Sequence, residues 1–402
     1  MAETINRLPK YLCTQTIDRT EYVPQPAQVP RSCAERMGQD SAPLLLRLST
    51  SDRLRLDVAV AAGSEIYSWV GEDHFENRAL ADLVKQGAIS TGSYSNFLTV
   101  IFTRDSANFS YTGDTEAGGR VLAEFEFHVP LERSEYVFGN RRQHVKTAFE
   151  GTFLVDPKTL DLVQLVVHTA QLPAEVGSCQ ATTTFDYGRV RLNDADFLLP
   201  TRVALQISNI DGSELRNSTV FSGCHQFLGQ STLTFGEPAD ERVTGGDRQA
   251  RIQTQTIPPN LPFTLVLTQP IDSAVAAVGD RVTAKLSKPI RDRSFRVLVR
   301  EGAAVTARIV KMRQFYEATT SLTVALNLET LEVGGRPRPF AASPIAPGQR
   351  FLKNARSSSG RIDLGFLDTL DDPAVGIFEF RGVKENYVVS SGLESNWVTV
   401  RP

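Results

Sequence analysis

The 402-residue chain has little methionine, with 3, and little cysteine, with 4. It also lacks a charge excess: Lys plus Arg is 43, Asp plus Glu is 46, and the net charge is −3. A near-neutral chain has no electrostatic footprint for nucleic acid. Lysine is scarce as well: 9 of the 43 basic residues are Lys and 34 are Arg, and the Arg are scattered singly rather than clustered on a phosphate-binding run. No stretch approaches the roughly 18 apolar residues that a membrane helix needs. The first nine residues (MAETINRLP) have no apolar core and do not read as a signal peptide. If the protein is exported, its signal lies outside this chain.

Local catalytic patterns are absent too. A G-x-S-x-G nucleophile elbow does not occur, nor does H-E-x-x-H, nor a G-x-G-x-x-G after a strand. His74, His128, His144, His168 and His225 are nowhere spaced i, i+2 or i, i+4, so no local metal pair exists. Gly113–Arg120 (GDTEAGGR) has glycines like a phosphate loop. It lacks the Lys-Ser/Thr and sits between strands, so a hairpin turn is expected. Asp194, Asp196, Asp368, Asp371 and Asp372 do not complete a calcium loop and read as solvated charge. The expectation is a protein that is not an enzyme and has no cofactor and no metal.

What the sequence does hold is alternation. Hydrophobic residues are 41% and charged residues 22%, so the chain is globular. Leu54, Leu56, Val58 and Val60 alternate with Arg53, Arg55, Asp57 and Ala59, as in a half-buried strand. Similar stretches follow to Phe235, separated by turn pairs such as Gly118-Gly119, Asp156-Pro157, Asn193-Asp194 and Asp211-Gly212. Phe97–Thr103 is among these predicted strands. Two helices are predicted, one within Asn6–Tyr22 and one over Phe75–Gln86 with Gly87 at its end. Gly236–Gln249 reads as a linker, and a second β-rich block follows from about Leu261. The predicted layout is a helix and proline-rich lead-in over 1–40, an antiparallel half-barrel over 41–236, a linker over 237–260, and a β-barrel or sandwich over 261–402. The fold class is mainly β, a curved antiparallel half-barrel with one or two covering helices and a smaller second β domain.

Cys13, Cys33, Cys179 and Cys224 form no C-x-x-C pair. Their positions suggest Cys13–Cys33 and Cys179–Cys224 disulfides and hence an oxidising compartment, although four cysteines allow three connectivities. The aromatic residues on alternating strands can form a concave apolar face that holds an acyl chain, or a core filled by a helix such as Phe75–Gln86. Trp69, Phe125 and Phe153 are the candidate wall residues.

A leading helix, one internal helix and a long meander, with the strand, D-P-x-T, strand text of Gly151–Leu160 (GTFLVDPKTL), resemble the lipoprotein-carrier (LolA/LolB) superfamily of bacterial envelopes. The start Leu8–Thr16 (LPKYLCTQT) is similar to that of exported proteins with the same layout. The resemblance covers about residues 5–236. In the second block, Ile271–Ser273, Val278–Val282, Val297–Ala303 and Ala307–Ile309 resemble TrbI-type conjugal-transfer envelope domains. The resemblances imply a periplasmic or secreted protein that binds a lipid, a lipoprotein or an envelope protein partner. The alternatives are a structural or assembly protein without a small ligand, and a hydrolase with a site assembled across strands. Neither resemblance carries a catalytic residue over.

Overall fold

The computed structural model describes residues 9–25, 32–37, 43–61, 64–72, 75, 80–84, 88–89, 93–139, 144–227, 257–316, 319–345, 351–353 and 374–401. The predicted strand Thr232–Phe235, the predicted linker over 237–260 up to residue 256, and His74 lie outside them.

The N-terminal block contains β1 (Tyr11–Pro24), α1 (Cys33–Met37), β2 (Leu46–Ala61), β3 (Ser64–Trp69), α2 (Leu80–Leu83) and α3 (Ser93–Phe102). It continues through β4 (Asn108–Ala117), β5 (Arg120–Val129), β6 (Val137–Gly139), β7 (His144–Lys146), β8 (Phe149–Val155) and β9 (Leu162–Thr169). The long strands β10 (Ser178–Leu192), β11 (Ala195–Asn209) and β12 (Glu214–Gln226) close it. Pairings run β4-β5-β8-β9-β10-β11-β12-β1-β2-β3, every neighbour antiparallel. The meander is an open sheet, and chain-adjacent strands pair wherever a tight turn joins them.

The turns work as their residues require. Gly118 and Gly119 have φ of 58° and 71° between the paired Ala117 and Arg120, a conformation open to glycine without a Cβ penalty. This turn is the end of the GDTEAGGR stretch, which is a hairpin and not a phosphate loop. Asp156 accepts the Lys158 and Thr159 N–H groups at 2.9 and 3.4 Å, and Thr159 accepts the Asp161 N–H at 3.3 Å. The D-P-x-T text is thus a side-chain-closed turn between β8 and β9.

Three local expectations are corrected. Of Asn6–Tyr22, the described part from Pro9 onward is not helical: Tyr11, Cys13, Gln15, Ile17 and Arg19 are buried at period two, and β1 is hydrogen-bonded on both sides. Phe97–Thr103 is not a strand but lies in and just after α3, where Phe97, Leu98, Val100 and Ile101 form a buried helical stripe. Of Phe75–Gln86, the helical part among the described residues is Leu80–Leu83, and Leu80 and Val84 are buried.

The suggested disulfide pairing is also corrected. Cys13 bonds Cys224, and Cys33 bonds Cys179. β1 and β12 are hydrogen-bonded neighbours, so Cys13 meets Cys224 across 211 residues of sequence. Cys33 lies on α1 and ties that helix to β10. Proximity in the sheet, not in sequence, selects the partners.

The C-terminal block contains β13 (Pro262–Leu267), β14 (Ile271–Asp272), β15 (Arg281–Leu286), β16 (Ile290–Arg291), β17 (Val297–Val299), β18 (Ala304–Phe315) and β19 (Ser321–Val333). It ends in β20 (Arg336–Pro339), β21 (Ala342–Pro344), β22 (Phe351–Lys353), β23 (Val375–Arg381), β24 (Val388–Val389) and β25 (Glu394–Thr399). Its main pairings run β21-β25-β13-β15-β18-β19-β23, all antiparallel. A parallel pair joins β22 to β23.

The two blocks share one sheet and one core. The outer edge of β2 is divided among β3 at Leu56–Ala61, a parallel bridge from Leu54 to Val278, and β18 at Thr50–Asp52. Leu54, Leu56 and Val58 pack in the same cluster as Val305, Ile309, Leu326 and Trp397. Buried Arg308 locks the junction, donating to the Gly279 carbonyl at 2.8 Å and pairing with Glu72 at 2.6 Å and with Glu329. Among the described residues no helix is long and apolar enough to cross a membrane.

Candidate functional site: an aromatic strip beside α3

Directly paired residues on adjacent strands point to the same face of a sheet. Phe109 pairs with Phe127, Tyr111 with Phe125, and Phe125 with Phe153. Leu165, Phe185 and Val203 continue that row across β9, β10 and β11. The inner face of the N-terminal sheet is therefore aromatic at its β4 end.

α3 covers part of this face. The Phe97 ring meets those of Tyr136, Phe149 and Phe185 edge-on at 5.0, 5.5 and 5.8 Å. Such edge contacts suit the ring quadrupoles. Here the concavity is filled by α3, whereas Leu80 and Val84, in the described part of Phe75–Gln86, pack in the core shared by the blocks.

Cover ends with the last residue of the helix. Phe102 stands edge-on to Phe153 at 5.1 Å and stacks on Phe109 at 6.1 Å. Phe153 stacks on Phe125 at 5.0 Å with an 8° interplanar angle, and Tyr111 lies 5.4 Å from Phe125. The five rings form one continuous strip. Its inner member, Phe153, is 7% exposed, whereas Phe109 and Tyr111 are 50% and 58% exposed. Large apolar side chains normally occupy the interior, so a connected pair of half-exposed rings needs a reason. Among the described residues, β4 pairs with β5 alone.

The strip is uncharged. Tyr111 donates to Asp114 Oδ1 at 2.8 Å, and this bond, with the nearby carboxylate, raises its phenol above the ordinary value. Burial pushes Tyr136 up to about 12, against a small opposing effect of Thr183. Both stay protonated at neutral pH.

Of the predicted wall residues, Phe125 and Phe153 are brought together. Trp69 is not with them. By register it pairs with Leu56 and faces inward, but it lies in β3, at the far end of the sheet order. There it packs against the core shared by the blocks, over Gly279. Phe109 and Tyr111 were missed; the signal for them is the aromatic-x-aromatic spacing in the predicted strand Asn108–Tyr111.

Other places offer less for a ligand. The interior of the C-terminal block, between residues such as Leu265, Leu326 and Trp397, holds a cavity of about 20 Å³. That is room for about one water in an apolar setting. His128 and His168 flank Glu150 at 3.3 and 3.8 Å on the opposite face of the N-terminal sheet. Among the described residues, no group of three or more His, Cys, Asp or Glu side chains is arranged to hold a metal.

No protein-family model and no curated protein matches the chain. Solved structures similar to it do exist. One is a putative outer membrane lipoprotein-sorting protein domain from Vibrio parahaemolyticus, at 10% identity over 56% of this chain and 87% of that one, with a TM-score of 0.27. Another is a LolA superfamily protein from Nitrosomonas europaea, at 8% identity over 57% and 92%, with a TM-score of 0.27. A third is a DUF1329 family protein from Desulfovibrio piger, at 10% identity over 57% and 90%, again at 0.27. One of the three carries the LolA superfamily name that the sequence resemblance suggested. At this identity and score the likeness carries no conclusion about ligand, partner or activity.

Proposed function

We propose that this protein is a non-catalytic cell-envelope protein, periplasmic or secreted, that holds the acyl chain of a lipid or acylated partner against the aromatic strip. The observation that carries the reading is the pair of half-exposed rings, Phe109 and Tyr111, continuous with half-buried Phe125 stacked on buried Phe153. An alkyl chain laid on that strip removes apolar area from water at roughly 25 cal/mol per Å². It meets no ionised group on the rings themselves. The two disulfides support an oxidising compartment.

Mass spectrometry of an organic extract of the purified protein tests for a resident lipid. Displacement of N-phenyl-1-naphthylamine by palmitate tests the site. The expected result is saturable displacement that weakens about tenfold in the double variant Phe109→Ser, Tyr111→Ser, with an unchanged Tm. Equal binding by the double variant overturns the assignment to this strip. An empty extract together with no displacement overturns the ligand-binding function.

A further inference from the structure

Where the two blocks meet, a half-open cavity of about 250 Å³ lies between β1 and β2 on one side and β18 with the 273–274 and 385–386 segments on the other. It is an order of magnitude larger than the cavity inside the C-terminal block. At roughly 10–15 Å³ of such space per water, it holds many waters or one compact ligand. The aromatic strip is a separate feature and shares no lining residue with it.

Four of the five charged side chains that line this cavity are matched in pairs. Arg19 grips Asp52 through two bonds of 2.6 Å, with both side chains 9% exposed. Arg53 pairs with Asp18 at 2.5 Å and also donates to the Ala274 carbonyl. An ionic ligand would have to break one of these pairs and leave its partner uncompensated. Glu385 adds a carboxylate on the exposed side, which further disfavours anions.

Unused hydrogen-bonding capacity is of the neutral kind. The Ser273 hydroxyl is out of solvent and has no partner among the described residues. Ser51 and Tyr316 share one hydrogen bond of 3.1 Å in which either can donate. Gln314, whose Nε2 already donates to the Lys384 carbonyl at 3.5 Å, keeps its amide oxygen and a second N–H, and Asn386 brings a further amide. The paired carboxylates keep free lone pairs. Met312, Leu322 and the Tyr316 ring supply an apolar wall. Planar polar groups for adjacent hydroxyls, beside an apolar wall for a C–H face, are the chemistry of a sugar ring.

We propose that this cavity binds a neutral polyhydroxylated ligand, a saccharide. The paired ions act as rigid hydrogen-bonding groups, the hydroxyls and amides read vicinal hydroxyls, and Tyr316 stacks on the ring face.

Saturation-transfer NMR on the full chain tests this, with glucose, N-acetylglucosamine and maltose as probes. At least one probe is expected to receive saturation at its ring protons. Tyr316→Ala should weaken that binding about tenfold. Ser273→Leu, which fills the cavity with apolar bulk, should abolish it. Naphthylamine binding at the aromatic strip should be unchanged in both variants, which also reports that they are folded. Transfer to none of the three sugars overturns the proposal, and so does transfer that persists in both variants. A lipid-linked glycan arm separates the sources. Glycan binding lost in the Phe109→Ser, Tyr111→Ser variant and retained in Tyr316→Ala places recognition at the strip and overturns the cavity assignment.

Discussion

At the scale of single residues, the aromatic strip separates stability from binding. Phe153 is buried among four rings, so Phe153→Ala should cost about 3–5 kcal/mol by the transfer and cavity effects. Chemical denaturation reads that loss. Phe109 and Tyr111 are half-exposed, and their serine variants should stay within about 0.5 kcal/mol of the parent. Asp156 gives a pH signature. The Lys158 N–H, opposed by burial and assisted by the Thr159 N–H, Arg120 and the Lys158 charge, holds its carboxyl below the usual range. A carboxyl lowered on folding stabilises fully above its unfolded pKa, and that contribution is lost as pH falls through the folded value. Asp156→Asn should therefore flatten the acid limb of the stability curve below about pH 4 while changing its neutral limb by a constant amount. A parallel acid limb in the variant would show that the carboxyl does not titrate in the folding transition. Phe125 and Phe153 were legible because alternation fixes which residues share a face. Trp69 shares that face as well, but alternation is silent on distance across the sheet.

At the scale of elements, the two inverted assignments have a common cause. Phe97–Phe102 is a short apolar run, and such a run fits a buried strand or one face of a short helix. The ring cluster of Phe149 and Phe185 decides for α3 by accepting Phe97 from above the sheet. β1 suffers the converse: Gln15 and Arg19 are polar residues at buried positions, which hides its alternation from a hydrophobic count. Arg19 is tolerated there because Asp52 sits opposite it on β2. The disulfide partners were beyond reach for the same reason as the strand order: β12 lies beside β1 only in the folded sheet. In a chain-entropy picture, closing loops of 211 and 146 residues is worth up to about 5 kcal/mol each. Urea unfolding with and without reductant should show a large drop in midpoint. Cys33→Ser with Cys179→Ser should lose part of that drop and leave the Cys13–Cys224 bridge intact by peptide mapping.

At the scale of the whole molecule, the junction between blocks controls cooperativity. Arg308 is 2% exposed and compensates two carboxylates. Arg308→Met removes the buried cation and leaves the Gly279 carbonyl without its donor, but Arg281 still pairs with Glu329 at 2.9 Å and Glu72 at 3.9 Å, so the loss should be about 1–3 kcal/mol. Gly279 lies at φ +105°, and a Cβ there would come within 2.3 Å of the Arg55 carbonyl and 2.8 Å of the Trp69 ring. Gly279→Ala should force the blocks apart at this point and cost at least about 2 kcal/mol. Calorimetry should show one transition in the parent and two in this variant. A single sharp transition in Gly279→Ala would mean that the remaining β2–β18 pairing suffices to couple the blocks.

Composition, alternation and turn residues by themselves determined that this chain is a long antiparallel β protein with hairpins at Gly118-Gly119, Asp156-Pro157 and Asn193-Asp194. These are local properties: each turn needs only its own few residues, and period-two burial needs only one strand. Tertiary structure alone decided the cysteine pairing, the helical state of α3, the placement of Trp69 away from Phe125 and Phe153, and the joining of both blocks along β2. It also left two rings of the strip open to solvent. Each of these depends on which distant strand lies alongside, and that follows from the packing of the whole sheet rather than from any local run of residues.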